Sequence, residues 1–191
     1  MKKFLYDTLA ERWWRGGSIW IYSDPHFNDE ESKALRKNYV GDDEQVKRIN
    51  SKVGRVDTII FLGDLGDPEY IKKIRGYKIL IMGNHEKGAS NYQGLFNEVY
   101  EGPLMINDRL LLSHEPVNVP ACIFNIHGHD HSYQVADENH LNLCAEHIDY
   151  TPVSFSELIK KGLLKNIESI HRETIDRATI KKKAKEMAKN F

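Results

Sequence analysis

Four short apolar runs, at 18–23, 58–62, 78–82 and 122–126, set the rhythm of the chain. Each is nearly continuous in apolar residues, which predicts strands buried on both faces. Each stops at a polar segment: Asp24-Pro25-His26, Gly63-Asp64, Gly83-Asn84-His85 and His127-Gly128-His129. Reactive side chains just past the C-terminal ends of strands are where α/β sheets carry their ligand sites. Between the runs the period lengthens. Val46, Ile49 and Val53 share one face of a predicted helix opened by Asp43-Glu44 and stopped near Gly54. A shorter helix is predicted over 68–75, with Gly76 after it. Asn107-Asp108-Arg109 between 104–106 and 110–112 predicts a hairpin, and 140–148 a further strand. Ser154-Phe155-Ser156-Glu157 opens a short helix followed by Gly162. The pattern is that of an α/β protein with its site at the strand ends.

The chain has 191 residues, enough for one domain with a real core. The apolar runs are far shorter than the roughly 18–20 residues of a membrane span. Met1-Lys2-Lys3-Phe4 is followed by Asp7, Glu11, Arg12 and Arg15, so no apolar signal segment is read and a cytoplasmic location is expected. Cys122 and Cys144 form neither a disulfide framework nor a C-x-x-C pair and are expected as reduced, buried thiols. Net charge is −1, which disfavours a protein built to track a polyanion. From 163 to 191 the chain turns polar and Lys-rich, predicting a helical appendage behind a main domain at 1–162. The run Lys181-Lys182-Lys183-Ala184-Lys185 reads as a solvated tail. Trp13 and Trp14, flanked by Arg12 and Arg15, read as an N-terminal element packed on the domain rather than a stacking platform for bases.

Histidine changes the picture, through placement more than through its total of nine. Five polar clusters occur in order: Asp24-Pro25-His26, Gly63-Asp64-Leu65-Gly66-Asp67, Gly83-Asn84-His85-Glu86, Ser113-His114-Glu115 and His127-Gly128-His129. Each alone is a common accident. Four of them directly after apolar runs are not. Carboxylate, imidazole and amide donors suit two divalent ions about 3.5–4 Å apart that clamp a phosphate ester and share an activated hydroxide. Mixed N/O donors favour Mn, Fe, Zn or Ni over Ca.

The ordered set resembles the calcineurin-like metallophosphoesterase family, over roughly 18–155, and within it the small bacterial and phage phosphoesterases. The closing segment Asp149-Tyr150-Thr151-Pro152-Val153-Ser154 adds to the likeness. The resemblance implies a four-layer α/β/β/α sandwich with two mixed sheets. It implies that Asp24, His26 and His129 hold the first metal, that Asp64 bridges, and that Asn84, His114 and His127 hold the second. His85 then ligates nothing and assists the leaving group. Asp67, Asn28 and His131 stand as supporting or substrate-side candidates, with a helix-start carboxylate the competing reading for Asp67. His140, His147 and His171 are read as ordinary. Where many small relatives continue D-x-H-F-x-H, this chain has Asp29 in place of the last His. No cap of tens of residues separates the motifs, so an open site and a small phosphoester substrate are expected. The expected cofactors are two divalent transition metals, manganese first, with Fe, Zn or Ni as alternatives. No membrane partner is expected, and nucleic acid is not favoured. A nuclease or cyclic-nucleotide phosphodiesterase on the same scaffold, and a non-catalytic interaction module, remain the alternatives.

Overall fold

The computed structural model describes residues 9, 11–12, 15–36, 38–106, 109–133 and 137–161. The expectations for Trp13-Trp14, the Asn107-Asp108 turn, Gly162, His171 and the Lys-rich tail lie outside these residues. Among the described residues, no helix is long and apolar enough to cross a membrane.

Two mixed sheets make the frame. The first runs β4 (Glu98–Tyr100), β3 (Tyr77–Ile81), β2 (Thr58–Phe61), β1 (Ile19–Tyr22), β9 (Val153–Ser154). Its first four strands are parallel, and β9 closes it antiparallel to β1. The second runs β5 (Leu104–Met105), β6 (Leu110–Leu112), β7 (Phe124–His127), β8 (His140–Asn142). There β6, β7 and β8 are parallel and β5 is antiparallel.

Strand alternation explains why the central strands are apolar throughout. Ile19, Ile21, Ile60, Leu62, Ile79 and Ile81 face the second sheet and meet Leu110, Leu112, Phe124 and Ile126 in one core. The intervening Tyr22, Ile59, Phe61 and Leu80 face the other way, onto Val46 and Ile49 of α2 (Asp42–Lys52) and its cap residue Val53. Each such fully buried aliphatic contributes roughly 1.5–3 kcal/mol. α2 begins one residue before the Asp43-Glu44 pair, with Asp42, Asp43 and Glu44 all in its first turn, where carboxylates favour the positive end of the helix dipole. Ser154 and Glu157 form the expected capping box of α3 (Phe155–Lys160).

Several elements differ from expectation. The segment after Asp67 is a 3-10 helix, Pro68–Lys73. The expected strand 140–148 is a three-residue strand followed by the 3-10 turn Ala145–Ile148. A short helix unread in the pattern, α1 (Glu30–Leu35), has no buried residue, so no apolar stripe announced it. The fourth strand begins two residues later than its apolar run and ends one residue later: Cys122 lies exposed in a turn before it, and His127 is its last residue.

Candidate metal centre

The parallel strands β1, β2, β3, β6 and β7 all end at one place, and the loops leaving them are zipped together by backbone hydrogen bonds. The Asp24 amide donates to the Gly63 carbonyl (3.1 Å), that of His26 to Asp64 (3.0 Å) and that of Phe27 to Leu65 (2.8 Å). Within the second sheet the Gly128 amide donates to the His114 carbonyl (2.8 Å), and the two sheets are joined there through the Ala145 amide, which donates to the Ser23 carbonyl (3.1 Å). The turns are tight enough that Asp24, His26, Asp64 and His129, none of them glycine, sit at positive φ. Such conformations cost on the order of 1–3 kcal/mol each and persist where the surroundings fix them. Gly128 permits the closest approach: a Cβ there would lie 2.0 Å from Ser23 Oγ and 2.1 Å from Asp24 Oδ2.

These turns gather donor atoms into three overlapping groups. Asp24, His26 and Asp64 form one; Asp64, His114 and His129 a second; Asp24, His131 and Cys144 a third. Asp64 Oδ2 lies 3.5 Å from His26 Nε2 and 3.4 Å from His114 Nε2, so this carboxylate is common to the first two groups. Asn84 brings its Oδ1 to 2.8 Å from His114 Nε2, and His129 its Nδ1 to 3.1 Å from the same atom. His131 Nε2 lies 3.7 Å from Asp24 Oδ1.

The arrangement differs from the expected ligand set at three histidines. His127 was expected among the donors of the second metal. Instead it ends β7, fully buried, with Nδ1 at the Gly128 carbonyl (2.9 Å) and its ring beside His140. His129, expected with the first metal, stands with Asp64 and His114. His131, expected only as a supporting or substrate-side residue, stands with Asp24. The cause is where the strand ends: it runs one residue past the apolar run, through His127, so the loop begins at Gly128 and its outward-reaching histidines are His129 and His131.

The remaining expected residues are placed as follows. The His85 side chain is 58% exposed, its Nε2 3.9 Å from Asp64 Oδ2 and its ring 5.4 Å from that of His26. Asp67 caps the 3-10 helix by accepting from the Glu69 amide (2.9 Å), as its competing reading held, and the exposed Asn28 lies 3.5 Å from its other oxygen. Cys144 is buried against the cluster. Burial and the neighbouring Asp24 push its pKa up, so it remains a neutral thiol.

Three carboxylates unread as supports hold the donors from behind. Asp29 meets His26 Nδ1 at 3.0 Å while accepting from the Ser32 amide as the cap of α1. Burial works against its charge, yet the hydrogen bonds from Ser32 and His26 outweigh it and bring its pKa to about 2. Glu146 meets His131 Nδ1, also at 3.0 Å. A carboxylate at Nδ1 fixes the proton there and leaves Nε2 as the free donor. Glu86 accepts from the amides of Asp64 (2.9 Å), Leu65 (2.8 Å) and Gly83 (2.6 Å), clamping two of the loops.

Two observations test whether a divalent cation suits this set. His26 Nε2 is buried without a hydrogen-bond partner and, unlike the equally unpartnered His127 Nε2, belongs to a group of metal-type donors with Asp24 and Asp64. The chemistry of His114 points the same way. Its Nδ1 meets the Leu62 carbonyl (2.7 Å) while Nε2 faces the oxygens of Asn84 and Asp64. With acceptors on both sides the ring holds two protons. Burial opposes this, but the hydrogen bond donated to Asp64 and the charge of Asp24 prevail and raise its pKa from 6.5 to about 9. The residues therefore fit divalent cations, with a proton standing at Nε2 in the metal-free chain.

A pH dependence follows. The His114 imidazolium stabilises the metal-free fold fully below pH 6.5, and that contribution is lost as pH rises through about 9. A cation must displace the same proton. Apparent metal affinity should therefore rise by about tenfold per pH unit between these values and level off above them. Metal titrations across this range, with proton release read from the buffer dependence of the calorimetric heat, check it; a flat profile would contradict it.

A family model for calcineurin-like phosphoesterases matches residues 17–175. The match spans most of the chain, and the chain belongs to this family, whose members hydrolyse phosphoric esters. A solved structure of a protein of unknown function from Aquifex aeolicus is similar to it, with a TM-score of 0.64 and 26% identity over 75% of this chain and 98% of that one. No curated protein matches the chain.

Proposed function

We propose that the protein is a binuclear metal-dependent phosphoesterase acting on a small phosphomonoester or phosphodiester. The observation that carries this reading is Asp64: one buried carboxylate oxygen within 3.5 Å of Nε2 of both His26 and His114. Asp24, His26, Asp64 and His131 would hold the first metal, and Asp64, Asn84, His114 and His129 the second. Mn, Fe, Zn or Ni suits such donors, manganese being the first choice. When bound, such a pair supplies Lewis acidity toward the ester oxygens and lowers the pKa of water.

The chain's own residues do the rest. Asp29 and Glu146 hold the protons of His26 and His131 on the far nitrogens, which keeps the near ones available. Glu86 fixes the loops of Asp64 and Asn84 against each other. His85, its side chain exposed, is free of metal-binding duty and placed to give a proton to a departing alkoxide.

Metal content after loading, measured beside hydrolysis of p-nitrophenyl mono- and diesters with Mn, Ni, Zn or Mg, tests this. Two ions per chain are expected in the wild type and fewer in Asp64→Asn, with turnover lost in the variant. One ion or none in the wild type would defeat the binuclear reading.

A further inference from the structure

We propose that Arg36 and Glu146 form a positioning pair that joins the two chain segments of the first metal site, so that its affinity depends on a guanidinium that touches no metal. The inference rests on the reading of Asp24, His26, Asp64 and His131 as that site.

The two segments are far apart in sequence. Asp24 and His26 lie on the turn after β1, whereas His131 lies on the loop after β7. Arg36 is the cap residue at the end of α1, and its side chain is only 3% exposed. One terminal nitrogen donates to the Asp24 carbonyl (2.9 Å), and the other reaches the Pro25 carbonyl (3.3 Å). Its Nε lies 2.9 Å from Glu146 Oε1 as an ion pair, without hydrogen-bond alignment, and that oxygen is the one that meets His131 Nδ1. A single planar fork thus ties the backbone bearing two donors to the carboxylate behind a third. The turn it grips is also a strained one, with both Asp24 and His26 at positive φ.

The charge arithmetic favours a dedicated role. Glu146 is 12% exposed, and its second oxygen is buried without a hydrogen-bond partner. Burying such a pair gives little stability against an apolar filling, because desolvation offsets the attraction. What the pair does supply is geometry. Lysine would keep the charge but lacks the fork that spans carbonyls and carboxylate together. The second site makes no such use of Arg36: His114 is backed by the Leu62 carbonyl and Asp64 by the His85 amide.

The test is Mn²⁺ titration, by calorimetry, of the full chain and of Arg36→Met, Arg36→Lys, Glu146→Gln and the Arg36→Met/Glu146→Gln pair. His131→Ala and His129→Ala mark which binding step belongs to which site. Arg36→Met should weaken the first step by about 10–100-fold, the usual effect of losing a supporting partner behind a ligand, and leave the second step nearly unchanged. Arg36→Lys should recover only part of the loss. The double variant carries no stranded buried carboxylate, so it folds if the single one does not, and it should show the same selective weakening. Equal weakening of both steps, in proportion to lost thermal stability, would mean a purely structural role and overturns the proposal. Wild-type affinity in both Arg36→Met and the double variant overturns it as well. A wild type that binds no ion at the step marked by His131 would instead remove the metal-site reading, and this inference with it.

Discussion

Replacing His131 with Ala is expected to strip one metal from the protein and lower phosphoester hydrolysis by on the order of 10³-fold, since Lewis-acid stabilisation is worth several kcal/mol and each 1.36 kcal/mol is a factor of ten. Replacing the nearby His127 with Phe is expected to leave both metals in place. The contrast is a direct consequence of where β7 ends. His131 brings Nε2 to 3.7 Å from Asp24 Oδ1, with Glu146 behind its other nitrogen. His127 is wholly buried, and its Nε2 has no hydrogen-bond partner to lose. The Phe variant forfeits only the contact of Nδ1 with the Gly128 carbonyl, at a stability cost of about 1–3 kcal/mol. Metal content and turnover measured on both variants decide the matter. A His127→Phe protein that folds but loses a metal, beside a His131→Ala protein that keeps two, would reverse the donor assignment.

The same segment shows how far the sequence can be read. His127-Gly128-His129-Asp130-His131 contains two overlapping His-x-His pairs, and nothing local says which pair leaves the strand. The apolar run could be ended at Ile126 because His127 is polar, yet the ladder continues through it, with His127 opposite Asn142. What separates the alternatives is a long-range contact, the fit of Gly128 against Ser23 and Asp24, and such a contact has no signature along the chain. The strand ends after β1, β2 and β3 were legible because each lay inside a continuous apolar run, whose burial on both faces is itself a tertiary fact written locally. The supports were not legible for a related reason. Asp29 looked like the loss of a histidine, whereas it backs the neighbouring His26 from the cap of a helix with no buried face. Glu146 and Arg36 are separated by more than a hundred residues and meet only because both sheets end at the same place. Cys122 and Cys144 received one reading, but a two-residue displacement exposes the first, and the ladder bridge from Ser23 to Cys144 buries the second.

His85→Ala should slow hydrolysis of an alkyl phosphoester by about 10²–10⁴-fold, the range a positioned proton donor supplies. It should slow a p-nitrophenyl ester much less, because p-nitrophenolate departs readily without a proton. The geometry separates His85 from the donors on three counts. Its side chain is mostly exposed, whereas those of His26 and His114 are buried. Its nearest approach to Asp64 Oδ2 is 3.9 Å, longer than that of either. Its backbone amide, donating to Asp64 Oδ1 at 3.2 Å, anchors the residue while the ring stays exposed. The preceding Asn84 already offers an amide oxygen toward His114, so the turn delivers a donor and a free imidazole in succession. Imidazole is also the one side chain whose ordinary pKa lets it carry a transferable proton near neutrality. Metal content and leaving-group dependence, measured on one preparation of His85→Ala, form the deciding pair of results. Two ions retained, with a loss that steepens as the leaving group becomes more basic, identify a proton donor. A lost ion would make His85 a ligand, and an equal loss on all esters would make it a stabiliser of charge on the phosphoryl oxygens; either result removes the proton-donor role.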